Sequence, residues 1–102
     1  MLEELREDIN QYNDALEDFY SLIPEDIEGA YQLAMVFMQI ANRWTELQLN
    51  SNKYCIELKV TRTAFKDYAY EKYRLASKCH EFCRCIWRQS KEDARNSFYS
   101  DM

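Results

Sequence analysis

The sequence predicts an all-α protein, built as an antiparallel helical hairpin or a three- to four-helix bundle with long coiled-coil-like helices. Glycine and proline each occur once in 102 residues, and so few turn residues do not suit a multi-stranded sheet. Apolar residues return every three or four positions through most of the chain, which is the helical period. Good helix formers also recur throughout. A chain of this length predicts a single domain over residues 1–102.

A regular apolar seam predicts a first helix over about residues 2–22. Its members are separated by three or four positions, as in a coiled-coil-like helix. They are Leu2, Leu5, Ile9, Tyr12, Leu16, Phe19 and Ile23. The other positions are mainly acidic or amide residues, which suit a solvated face. We therefore predict that the seam, from Leu2 to Phe19, is an interface and that the protein forms homo-oligomers or binds a protein partner.

Pro24 marks the end of this helix and the start of a second one near residue 24, because proline is tolerated only in the first turn of a helix. The apolar positions that follow are Ile27, Tyr31, Ala34, Met35, Met38, Ala41, Trp44 and Leu47. Residues 33–38 are apolar on every side, which predicts the deepest part of the core. Core packing is accordingly the expected role of Met35, Phe37, Met38 and Trp44.

In the second half of the chain, the sequence signals for where helices begin and end are weaker. The polar residues 50–52 either form a short turn or lie within one long helix, and the sequence leaves both open. A compact domain needs another turn, which we place within residues 69–77, because an unbroken helix from 24 to 100 would be about 115 Å long. A last helix is then predicted over about residues 76–98.

Charge is distributed unevenly between the two halves. Residues 1–50 contain 11 acidic and 2 basic residues, and residues 51–102 contain 7 acidic and 11 basic residues. The halves therefore carry −9 and +4, and the whole chain −5. Either the halves neutralise each other, within one chain or between copies, or one half faces a partner of opposite charge.

Catalytic and cofactor chemistry find little support. The chain has one histidine, no Gly-rich phosphate loop and no nucleophile elbow, so we predict no enzyme, no catalytic residue and no cofactor. Cys79 and Cys83 share one side of a helix, but His80 and Cys85 point elsewhere, so four ligands cannot converge on one metal ion. We predict no metal site and interpret Cys79 and Cys83 as small core residues.

The sequence predicts a cytoplasmic protein with no membrane contact. The N-terminus is acidic and lacks the apolar region of a secretory signal. The longest apolar stretch, residues 33–38, is far too short to cross a bilayer. The cysteines lie in helical sequence and not in a loop framework, which indicates reduced thiols.

A row of cations near the C-terminus predicts contact with single-stranded nucleic acid. On a helix, four basic residues fall within a sector of about 60°: Arg84, Arg88, Lys91 and Arg95. Trp87 and Phe98 border this row. Cations that follow phosphates and rings that stack on bases are typical of single-strand binding. Pairing with the acidic first helix, or simple solvation, explains the same row, and a pI near 4.9 is unusual for a nucleic-acid binder.

The acidic first half supports a different function. Its carboxylates suit an adaptor or inhibitor that binds a basic surface on another protein, including one that imitates a phosphate backbone. The residues concerned are Glu3, Glu4, Glu7, Asp8, Asp14, Glu17 and Asp18. A solvated helix face explains them equally.

The layout of residues 33–102 resembles small helical proteins of bacteriophage recombination and replication modules, such as the recombination mediators of T4-type phages. The matching features are Trp44 in a long helix, the Lys-, Arg- and Tyr-bearing segment 57–68, and the spaced basic residues of 87–95. The acidic helix before Pro24 has no counterpart, and the loop expected before the final helix is missing or very short. The resemblance implies an oligomeric accessory protein that helps to load a recombinase or annealing protein on single strands, with contacts at the four basic residues named above.

Overall fold

The computed structural model describes residues 2–23, 25–88 and 98, and this part of the chain contains four α-helices and no β-strand. The helices are α1 (Leu2–Tyr20), α2 (Ile27–Leu49), α3 (Ser51–Leu58) and α4 (Arg62–Trp87). The predicted all-α fold is confirmed. The first helix ends two residues earlier than expected, and the polar residue Asn50 separates α2 from α3.

The second helix begins at Ile27 and not near residue 24, because Asp26 is its N-cap. The Asp26 Oδ1 accepts a hydrogen bond from the Gly29 backbone N–H at 2.9 Å. Such a bond satisfies one of the free donors in the first turn of a helix. Gly29 makes room for this cap, since a Cβ atom added there would collide with the Asp26 carboxylate.

The turn predicted within residues 69–77 is wrong, because α4 runs without interruption from Arg62 to Trp87. The chain turns instead between α3 and α4. Lys59 adopts the left-handed conformation with φ 58°, a helix-ending geometry that glycine usually supplies. Thr61 then caps α4 by accepting a hydrogen bond from the Ala64 N–H at 3.0 Å. The last helix therefore starts 14 residues before the predicted start near 76.

Helices α2 and α4 form the central pair and run antiparallel. Three contacts fix this orientation: Tyr31 with Trp87, Ala34 with His80, and Trp44 with Tyr68. The buried positions between the two helices include several alanines, namely Ala30, Ala34 and Ala41 on α2 and Ala69 and Ala76 on α4. Short side chains allow two helix backbones to approach closely, so this seam determines the spacing of the pair.

Helix α1 lies along one side of this pair, antiparallel to α2. Asp8 binds Arg43 at 2.9 Å near one end, and the Phe19 ring lies 5.8 Å from the Phe37 ring near the other. The short helix α3 closes the end of the hairpin, where Tyr54 stacks on Phe65 at 5.5 Å. The described residues thus form a three-helix bundle with one short connecting helix.

The seam of α1 packs within its own chain. Leu5 and Tyr12 are buried in the core, and Ile9, Leu16 and Phe19 pack against it. Leu2 and Ile23, at the two ends of the seam, are 46% and 62% exposed and are left largely open. The seam residues predicted as an interface are therefore largely occupied by α2 and α4, and any self-association needs another surface.

The ammonium group of Lys72 lies among aromatic rings that come from all three long helices. The Lys72 ammonium on α4 lies 4.2 Å from the Tyr12 ring centroid, 4.7 Å from that of Tyr68 and 6.0 Å from that of Trp44. Ring faces attract a cation. Burial lowers the pKa of Lys72 and raises the pKa of Tyr12 to about 12. The chain's own lysine fills this aromatic cage, so we assign it a structural role in holding α1 in place.

Candidate functional site

The predicted nucleic-acid site is only partly within the described residues. Arg84 and Trp87 lie in the last turn of α4, and Arg88 follows it, while Lys91 and Arg95 lie outside the described residues. Arg88 is exposed, and the Trp87 ring is 42% exposed with its centroid 4.9 Å from that of Tyr31. The structure therefore places one exposed aromatic pair beside one exposed cation.

Arg84 is less available than the sequence suggested. Its Nε lies 3.3 Å from the Glu81 Oε2, which is ion-pair distance, although the N–H does not point at that oxygen and makes no hydrogen bond. The two charges still attract each other at this distance, because charge attraction depends less on direction than a hydrogen bond does. An arginine beside a carboxylate of its own helix is a weaker phosphate ligand than an isolated one.

Phe98 belongs to an aromatic cluster within the chain. Its ring centroid lies 5.8 Å from that of Phe19 and 5.7 Å from that of Phe82. Those two rings contact each other at 5.3 Å. The interpretation of Phe98 as an exposed aromatic at the edge of the basic row is therefore wrong, because hydrophobic packing holds the ring against α1 and α4.

The thiols of the Cys79–Cys85 segment are arranged for packing. Cys79 and Cys83 are fully buried, and burial raises the pKa of each thiol to about 12. His80 lies between α2 and α4, where its Nδ1 is 2.7 Å from the Ala34 carbonyl oxygen. Among the described residues, no three potential metal ligands come together.

This burial predicts that Cys79 and Cys83 resist alkylation. Raising a thiol pKa from 9.0 to about 12 lowers the thiolate fraction at about pH 8 roughly a thousandfold, and the thiolate is the reactive form. We expect iodoacetamide to modify both residues in urea and to leave them unmodified in the folded protein, as read by peptide mass spectrometry. Equal modification rates in both states would contradict the burial.

A groove with acidic rims lies between α1 and α2. Two adjoining open hollows of about 380 and 360 Å³ share Asp18, Leu33 and Val36. Leu33 and Val36 form an apolar floor. Among the residues that the structure describes, four carboxylates line its rims, and no lysine, arginine or histidine does. We call this surface the acidic groove, and its rim carboxylates are Glu7, Asp14, Asp18 and Asp26.

The groove extends along three turns of α1. Glu7 and Asp18 are 11 positions apart on that helix, a distance of about 17 Å at the helical rise. Of the carboxylates that the sequence analysis grouped together, Asp8 is engaged with Arg43 and does not line the groove. The sequence indicated the charge, but it could not indicate the groove, because the apolar floor comes from another helix.

Comparisons of this chain with protein-family models, with curated proteins and with solved structures found no match. Within residues 2–23 and 25–88, no helix has the length and apolar content that crossing a membrane requires.

A second surface lies on the opposite side of the bundle, and the prediction that its methionines belong to the core is wrong. Met35 and Met38 were expected in the core, yet they are 41% and 39% exposed. Phe37 and Trp44 are buried as expected. The cause is geometric: residues 33–38 are apolar all round, but α1 and α4 together cover only part of α2. The sequence did indicate this exposure, because residues 33–38 are apolar on every side and a helix needs only one apolar stripe to face a core.

Proposed function

We propose that this protein is a non-enzymatic adaptor whose acidic groove binds a basic amphipathic segment of a protein partner. The observation that carries the proposal is the combination of an apolar floor with carboxylate rims in one open groove. A helix lying in a groove buries its apolar face and leaves its polar face at the rims. A partner with leucine-like residues on one face and lysine or arginine on its flanks satisfies both features.

The charges of the groove determine which partners it accepts. Carboxylates that line a cleft attract cations and raise their local concentration. They also repel acidic segments, and this repulsion contributes to specificity. The apolar floor favours a protein segment over a purely ionic ligand, because a polycation without apolar residues leaves the partly exposed Val36 side chain in contact with water.

Peptide binding tests this proposal. The probe is a labelled helical peptide with leucines on one face and lysines on the other, titrated by fluorescence anisotropy. A scrambled peptide of equal composition and a peptide with glutamate in place of lysine serve as comparisons. We expect the amphipathic basic peptide alone to bind, and its affinity to fall as salt rises.

Neutralising the rims is expected to weaken this binding. Asp14→Asn with Asp18→Asn removes two charges, and at up to about 1 kcal/mol each this lowers the affinity by as much as roughly thirtyfold. The matched control, Glu57→Gln with Asp67→Asn, removes two exposed carboxylates outside the groove. Unchanged affinity in the groove variant with its helical content intact, or equal binding of the scrambled peptide, would overturn the proposal.

A second candidate is an accessory protein that acts on single-stranded nucleic acid, the role that the phage resemblance implies. The observation that favours it is the exposed Trp87 ring beside Arg88. The same anisotropy assay with labelled oligothymidylate examines this candidate. If the protein contacts phosphates directly, its affinity must fall steeply as the logarithm of the salt concentration rises. The affinity must also be lower in the Trp87→Ala and Arg88→Gln variants. Absence of binding at about 50 mM salt would exclude it.

A further inference from the structure

The side of the α2–α4 pair opposite α1 carries several exposed large apolar side chains. On α2, the apolar residues 27, 31, 35 and 38 recur at helical spacing, and on α4 the aromatic residues 70, 73 and 87 lie in one row with the polar residues Ser77, His80 and Arg84. Contact between the Tyr31 and Trp87 rings joins the two rows. We call this surface the uncovered face, and its large apolar members are Ile27, Tyr31, Met35, Met38, Tyr70, Tyr73 and Trp87.

The composition of the uncovered face is that of a contact surface. Six of its seven large apolar side chains are between 36% and 47% exposed. Tyrosine, tryptophan and methionine are enriched in protein interfaces. Large contiguous apolar patches on a small protein mark interaction sites. No residue that the structure describes lies over this face, and α1 occupies the other side of the pair.

Charges along the two edges of this face show which partner fits it. Glu28 lies on the α2 edge and Arg88 on the α4 edge at the same end of the bundle, since α2 starts where α4 ends. At the other end of the bundle, Glu46 lies on the α2 edge and Lys66 on the α4 edge. Glu46 also pairs with Arg43 at 3.3 Å, while 64% of its side chain stays exposed. The α2 edge therefore has a carboxylate at each end and the α4 edge a cation at each end, while the ion pairs Arg74–Glu71 and Arg84–Glu81 lie between them on α4.

A two-fold axis parallel to the helices makes this arrangement self-complementary. That rotation lays α2 of each copy over α4 of the other and keeps like ends together. Glu28 then faces Arg88 of the second copy, and Glu46 faces Lys66, while the apolar rows meet between them. A two-fold interface uses the same patch on both subunits, so it requires this kind of self-complementarity.

We propose that two copies of this chain pair through the uncovered face about a two-fold axis parallel to α2 and α4. The pairing buries Met35, Met38 and the Tyr31–Trp87 pair between the subunits. Helix α1 remains on the outside of each copy, so the dimer carries two acidic grooves that point away from each other. This last consequence rests on the proposed adaptor function: two grooves in one particle allow bivalent binding, which strengthens attachment to a partner with repeated basic segments.

Analytical ultracentrifugation tests the pairing. We expect the wild-type chain to sediment as a dimer of 12.4 kDa subunits. Met35→Lys places a charge in the centre of the face and, by symmetry, does so twice. We expect it to raise the dissociation constant by about a hundredfold or more. Ile56→Lys is the control, because Ile56 is 78% exposed on α3, away from this face.

A charge exchange tests the orientation of the axis. Glu28→Arg alone and Arg88→Glu alone each place like charges opposite each other and should weaken the dimer. The double variant Glu28→Arg with Arg88→Glu should restore it. A monomeric wild type at about 100 μM, or Met35→Lys pairing as tightly as wild type, would overturn the proposal. Failure of the exchange to restore pairing would overturn the proposed axis.

The two proposals fail independently. A monomeric Met35→Lys variant should still bind one basic amphipathic peptide per chain, with the affinity of the wild type, because the acidic groove lies on the other side of the bundle. Loss of pairing with peptide binding intact supports both assignments. Pairing without peptide binding overturns the groove and leaves the dimer in place.

Discussion

Trp44→Ala is expected to lower the free energy of unfolding by about 3–5 kcal/mol. The side chain is 1% exposed, and its ring contacts Tyr12 of α1 at 6.4 Å and Tyr68 of α4 at 5.9 Å. Its removal leaves a cavity where all three long helices meet and takes one ring from the Lys72 cage. Small domains have total stabilities of roughly 5–15 kcal/mol, so this loss threatens the fold itself.

Urea denaturation followed by far-UV circular dichroism measures this effect. Trp87→Ala is the matched control, because that tryptophan is 42% exposed and has little enclosed space to lose. The comparison is best made at low protein concentration, where the proposed dimer is dissociated and Trp87 contributes only within its own chain. Similar losses in the two variants would show that Trp44 is not at the centre of the core.

Ala76→Leu should destabilise the central helix pair by about 1–3 kcal/mol or more, through overpacking. Ala76 is fully buried on the side of α4 that faces α2. Leucine adds three carbon atoms where short side chains allow the helices to approach, and the pair must separate to accept them. A larger apolar side chain would stabilise the protein only if there were free space between α2 and α4 at this position.

The control for this variant is Ala64→Leu, in the first turn of the same helix, where the alanine is exposed. Alanine and leucine are both good helix formers, so we expect a change within about 0.5 kcal/mol there. If Ala76→Leu proved as harmless as Ala64→Leu in urea denaturation, the close approach of α2 and α4 would be refuted.

The sequence by itself determined the all-α class and part of the core. Spacings of three and four residues record which side of a helix is apolar, and this is a property of a single helix. Phe37 and Trp44 are therefore buried as expected, and Leu5 and Tyr12, predicted as an interface, are buried within the chain. The break between α3 and α4 was missed, because Lys59 adopts a left-handed conformation that a search for glycine or proline does not detect.

The tertiary structure decided which apolar side of each helix is covered. Residues 33–38 present apolar groups in every direction, and only the positions of α1 and α4 determine that Phe37 is buried while Met35 and Met38 are exposed. The same holds for the α1 seam, which the pattern alone could assign to another chain, and for the acidic groove, whose rims and floor come from different helices. Periodicity gives the direction of a side chain relative to its own helix axis, whereas burial depends on how three axes are arranged in space.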